Sequence, residues 1–158
     1  MSYQPRGRTF DQFNLGDTFV CPARTVTEAD TVKFAGVSGD YNPLHMDEEY
    51  ARTTVFGGRV AHGPLTFALA IGLVYQTGFY GNSILAWLGV ENMKIPAPVR
   101  IGDSIRVRAS VSRRRETKSP DRGLTVFRWD VLNQRDEAVM SLDYLLMMYR
   151  RPVAVTTA

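Results

Sequence analysis

Along the chain the hydrophobic positions change period, and each change marks an element. Ile105, Val107, Ala109 and Val111 alternate without a fault against Ser104, Arg106, Arg108 and Ser110 within residues 103–112. A period of two predicts a strand with one face in a core and the other in water. Residues 84–95, 124–132 and 139–149 read as further strands, and NQRD at 133–136 as the turn that joins the last two into an antiparallel hairpin. Nearer the N-terminus, residues 19–26 read as a first strand. Thr27 then precedes Glu28 and Asp30, acids that suit a helix start, and Val32, Phe34, Ala35 and Val37 supply a partly apolar stripe as far as Gly39.

Two segments of different character follow. From residue 40 to 62 the period is lost and Pro43, Gly57 and Gly58 interrupt the chain, which predicts a long functional loop with one turn of helix near 47–52. The next run, GPLTFALAIGLVYQTG at 63–78, is apolar on nearly every side. Pro64 fits the first turn of a helix, and a helix of this composition must be buried all round. One strand, a helix and loop, a buried helix and then four strands is an α+β order, not a βαβ alternation. Its economical packing is an antiparallel sheet curled around the buried helix. The apolar last strand, MSLDYLLMMY, predicts surface or edge covered by a second copy, hence a homodimer or a higher homo-oligomer.

Length fits a single domain over residues 1–158. The longest apolar run, 64–75, is too short to span a bilayer, so no membrane partner is expected. MSYQPRGRTF carries Arg6 and Arg8 without a following apolar segment, and the chain has one cysteine, Cys21. Both point to a cytoplasmic protein without a disulfide framework. The net charge is +3 and 16 of 19 basic residues are arginine, whose planar fork suits phosphate as well as nucleic acid. The densest basic cluster, Arg113, Arg114 and Arg115 with Lys118 and Arg122, also holds Glu116 and Asp121 and reads as a solvated hairpin loop. No aromatic is interleaved there, which argues against a platform for stacking single-stranded bases, and no nucleic-acid partner is expected.

Missing motifs weaken the dinucleotide, nucleotide and serine-hydrolase readings. There is no G-x-G-x-x-G, no phosphate-binding G-x-x-x-x-G-K-[ST], no H-E-x-x-H and no cysteine pair. Histidine is scarce: only His45 and His62 occur, both in loop sequence. Asp40 and His45 flank an Asn42-Pro43 step that keeps the chain out of a helix interior and lets it fold back, so that carboxylate and imidazole converge. Such a pair can hold and polarise one water. An Asx-type turn in which Asp40 bonds backbone and His45 packs is equally compatible with the spacing. A metal held by Asp40, His45, Asp47 and His62 is a further alternative, without the tight histidine spacing that marks such sites.

The stretch FAGVSGDYNPLHMDEEYA, the following GRVAHGPL, and the later PAPVRIGDSIRV resemble the MaoC-like, (R)-specific enoyl-CoA hydratases over about residues 10–149. The resemblance implies a hot-dog fold, a long helix wrapped by an antiparallel sheet, and hydration of a trans-2-enoyl-CoA or the reverse dehydration. It implies Asp40 and His45 as the catalytic pair, with Asn42 and Pro43 positioning the loop. Gly63, at the start of the buried helix, is the preferred oxyanion donor through its backbone N–H. Arg59, Arg100 and Arg106 are candidate cations for the CoA phosphates, and His62 a candidate substrate contact or loop tie. No metal or redox cofactor is implied, CoA entering as part of the substrate. A hot-dog thioesterase, a dehydratase of a branched or dicarboxylic hydroxyacyl-CoA and a non-catalytic acyl-CoA binder are the competing expectations.

Overall fold

The structure, a computed structural model, describes residues 7–151; Arg6 and the rest of the 1–6 stretch read for a signal lie outside it. Ile105, Val107, Ala109 and Val111 all point into the core, none more than 2% exposed, as their alternation requires. They belong to β4, Ser104–Glu116, the hub of a sheet ordered β1-β4-β5-β6-β3. The other strands on this path are β1 (Thr18–Val20), β3 (Ile84–Lys94), β5 (Arg122–Leu132) and β6 (Ala138–Tyr149). All pairings are antiparallel, and the β5–β6 hairpin turns at residues 133–136, where Asp136 takes a positive φ of 64°.

Helix α1 spans Glu28–Ser38, capped by Thr27 and ended by Gly39 in the left-handed region at φ 76°. The long helix α4, Gly63–Gln76, lies against the concave face of the sheet. Its Leu65, Leu69, Ala70, Leu73 and Val74 are buried in one cluster with Phe127, Trp129, Leu142 and Leu146 of β5 and β6. Among the described residues no helix is long and apolar enough to cross a membrane.

Four local expectations are corrected. The first strand is not continuous over 19–26: β1 is followed by a separate β2, Arg24–Thr25, because Pro22 has no N–H to give the ladder. Arg113, Arg114 and Arg115 are not a loop tip but the end of β4. A register shift between Val111 and Arg113 breaks the alternation that would have revealed them. Helix α4 is not covered all round: Pro64, Ala68 and Tyr75, one helical stripe, are exposed. The apolar last strand β6 is no edge either, since it runs between β5 and β3; the exposed edge is β3, bearing Trp87, Leu88 and Met93.

Candidate active site

The 40–62 segment carries more order than its lost period predicts. Pro43 is tolerated at the first position of a short helix α2, Pro43–Met46, where a missing N–H costs nothing. Asn42 caps it, its Oδ1 accepting from the Leu44 N–H at 2.9 Å. Asp47 caps the next helix α3, Glu48–Arg52, by accepting from Tyr50 N–H at 3.1 Å. Asp40 Oδ1 in turn accepts from Asn42 N–H at 3.3 Å. The Asx turn and the convergence of Asp40 with His45 are therefore one structure, not alternatives.

One carboxylate oxygen of Asp40 and one ring nitrogen each of His45 and His62 lie within 4.8 Å of one another. A single water bonded to two such groups at about 2.8 Å each spans roughly that gap. His45 Nδ1 is 2.7 Å from the Val60 carbonyl, which can only accept, so Nδ1 carries hydrogen, and the neutral ring then has its lone pair on Nε2. Asp40 is exposed and His45 half-buried, so both remain open to a ligand. The same three residues form the grouping a metal would need; Asp47 is not among them, its carboxylate being spent on its helix cap. His45 and His62 each already give one ring nitrogen to a carbonyl.

His45 lies on a cavity of about 270 Å³ together with Gly63, Phe56, Ile95, Ala97 and Val139. Gly63 opens α4, so its N–H belongs to the first turn, the positively polarised end of the helix, and the residue lines the same cavity as His45. Its Cα is closely covered: a Cβ there would sit 2.9 Å from Ile95 Cδ1. A larger groove of about 600 Å³ crosses Leu124, Val126 and Leu145, which alternate with core-facing neighbours and so occupy the opposite face of the sheet. It holds neither histidine, and chemistry, not volume, selects the smaller cavity. Cys21 is 3% exposed and burial pushes its thiol up to about 11, so it offers no thiolate near neutrality.

Three sequence-based assignments are narrowed. Of the two readings of His62, substrate contact or loop tie, the geometry favours the second: the residue is wholly buried and its Nε2 lies 2.9 Å from the Asp40 carbonyl. Arg59 is not a free cation. Glu28 fills its fork at 2.9 and 2.8 Å and raises its pKa above the usual value, while Glu48 accepts both its backbone N–H and its Nε at 3.3 Å. Glu48 is correspondingly held below the usual carboxylate range, first by that backbone bond. Arg59 thus ties α1 to α3. Arg106 is likewise paired, with Asp136, whereas Arg100 is exposed and donates to the carbonyl of Phe56 on the cavity wall. The Ile95–Val99 wall itself was missed; its signal was the IPAPV run, whose two prolines fix an extended path after β3.

An antiparallel sheet packed on one long helix places the chain in the hot-dog class of α+β folds. It aligns over 94% of its length with 47% of a conserved Mycobacterium tuberculosis protein described as having a double hotdog fold, at TM-score 0.80 and 23% identity. The chain belongs to the MaoC-like family, whose domain, described as MaoC like domain, matches residues 12–126. A MaoC-like dehydratase structure from Rhodospirillum rubrum superposes with TM-score 0.82 at 32% identity, covering 93% of this chain and all of that one, 100%. Protein MaoC of Klebsiella aerogenes is 39% identical over 110 residues, 70% of this chain and 32% of that protein. An (R)-specific enoyl-CoA hydratase of Rhodospirillum rubrum is 41% identical over 90 residues, 57% of this chain and 60% of its own length. The chain thus spans between about a third and three-fifths of the length of these curated relatives.

Proposed function

We propose that this protein adds water to a trans-2-enoyl-CoA to give the (R)-3-hydroxyacyl-CoA, or runs the reverse dehydration. The observation that carries the reading is the meeting of the Asp40 carboxylate and the His45 ring within 4.8 Å beside the cavity that Gly63 also lines. Relatives named (R)-specific enoyl-CoA hydratase and 3-hydroxybutyryl-CoA dehydratase support it. His45 Nε2 accepts a proton from the water that Asp40 helps to hold; the oxygen bonds C3, the C2–C3 π electrons move to C2, and the proton held on His45 passes to C2 on the same face, leaving the site as it began. Negative charge grows on the thioester oxygen as C3 is attacked, and the Gly63 N–H answers it. Hydrogen and hydroxyl are added and no electrons change hands, so the reaction proposed uses no redox cofactor.

Purified protein is expected to bleach the conjugated enoyl-thioester absorbance of crotonyl-CoA and to yield the (R)-product on chiral analysis. Release of free thiol without loss of the double bond would assign a thioesterase instead. Among the cations, Arg100 takes the CoA phosphates in this reading, so Arg100→Ala raises KM several-fold with little change in kcat. An unchanged KM removes that role.

The homodimer belongs to the same proposal. The 11-residue edge β3 is a run of unpaired backbone groups beside Trp87, 53% exposed, and Leu88, 50% exposed, a combination that pairs with another strand unless covered. We place the second copy along β3, and it also covers the bare stripe of α4. Sedimentation at micromolar concentration should give twice the chain mass; a monomer overturns it.

A further inference from the structure

We propose that His62 is the positioning residue of this site, holding both Asp40 and His45 without touching substrate. The inference rests on the hydratase reading for its kinetic arm. His62 is 0% exposed and stands at the N-cap of α4, yet its side chain makes no cap bond. The ring is turned instead toward the loop. Nε2 lies 2.9 Å from the Asp40 carbonyl, so it must carry the hydrogen and donate. The ring stacks on His45 with centroids 3.8 Å apart and planes 33° from parallel, and Phe34 packs at 5.1 Å. The backbone of His62 is fixed by the helix it opens, its carbonyl accepting from Thr66 N–H at 3.0 Å.

One residue therefore joins the three parts that must keep register: the loop bearing Asp40, the ring of His45, and Gly63, its own neighbour in sequence. Asp40 needs such a tie, being exposed and held through its carboxylate by one long bond to Asn42. A purely structural origin fits poorly. The second ring nitrogen, Nδ1, is buried without a partner among the described residues, and an orphan acceptor is a cost that an apolar residue of similar shape avoids. The tautomer follows. With hydrogen on Nδ1, Nε2 would face the Asp40 carbonyl as a second acceptor while Nδ1–H stayed unpaired. His62 thus carries hydrogen on Nε2 and His45 on Nδ1, opposite tautomers in stacked rings.

Because the chain has only two histidines, side-chain ¹⁵N–¹H correlation NMR of the intact protein reads both rings directly. The expected spectrum at neutral pH shows one Nε2–H imidazole, lost on His62→Phe, and one Nδ1–H imidazole that remains. An Nδ1–H signal for His62 overturns the proposal, whether or not the protein hydrates crotonyl-CoA. In the kinetic arm, His62→Phe keeps a ring against His45 but removes the donor, and His62→Gln keeps an amide donor without the stack. His62→Phe should lower kcat about 10²-fold, the scale of an ångström-size misplacement, with KM little changed. His62→Gln should recover part of the loss. A raised KM at unchanged kcat would make His62 a substrate contact, and wild-type kinetics in His62→Phe would make it packing; either overturns the proposal. Should both variants fail to fold, the wild-type tautomers, assigned through the ring-to-ring contact with Phe34, decide it. If the wild type is inactive on crotonyl-CoA the hydratase reading fails, and the tautomer arm still judges His62.

Discussion

Asp40→Asn is expected to lose hydration of crotonyl-CoA by about 10²- to 10⁴-fold in kcat, the usual worth of a positioned acid–base group. The substitution is chosen for what it spares. Asparagine has the same shape, and its Oδ1 can still accept from the Asn42 N–H that Asp40 now holds at 3.3 Å, so the turn persists. Only the carboxylate charge goes, and with it the power to draw a water proton toward His45. The Asp40 side chain is 47% exposed, so melting temperature should barely move. His45→Ala is expected to lose a similar factor. It also leaves the Val60 carbonyl without its donor and His62 without its stacking partner, so some stability should fall with it. Residues that act as a unit are strongly non-additive. The double variant should therefore be scarcely slower than either single one. Steady-state rates on the three variants beside their thermal melts check this; either single variant near wild-type rate would remove the pair from the chemistry.

How far such a site can be read beforehand depends on the separation of its parts in sequence. Asp40, Asn42, Pro43 and His45 lie within one turn, and local rules suffice: proline at a helix start, asparagine as cap, a carboxylate and an imidazole on the same fold-back. Helix α4 and the strand face of Ile105 to Val111 were legible for the same reason, since the unbroken apolar run of one and the alternation of the other are carried by contiguous residues. Long-range pairing was not legible. Arg59 looked like a free cation because its two carboxylates stand 31 and 11 residues away, at Glu28 and Glu48. For His62 the choice between substrate contact and loop tie stayed open, because nothing local shows that Asp40, 22 residues earlier, supplies a carbonyl to its ring. The bulge after Val111 hid the last four strand residues, Arg113 to Glu116, by shifting the alternation, a case of backbone geometry overriding a correct periodic rule.

The second large effect falls on a group that belongs to the backbone, the N–H of Gly63, and it can be removed only by proline. Most positions would not accept the change, but this one is prepared for it. Gly63 is the first residue of α4, where a missing N–H breaks no helical bond, and His62 before it has φ −59° and ψ 137°, the extended conformation a residue preceding proline adopts. Gly63→Pro should therefore leave the helix in place while deleting the proposed donor. The expected result is a loss of about 10²- to 10³-fold in kcat, the range found on removing one oxyanion donor. KM should change less, because charge on the thioester oxygen, and the bond that answers it, develop in the transition state. Bulk is the competing explanation, since any Cβ at this position comes within 2.9 Å of Ile95 Cδ1. Gly63→Ala carries the same Cβ and keeps the N–H, and the obstructing atom is the tip of a flexible side chain, so alanine should stay close to wild type. Equal losses in the alanine and proline variants would trace the effect to crowding against Ile95, whereas a loss confined to proline assigns the developing charge to the N-terminus of α4.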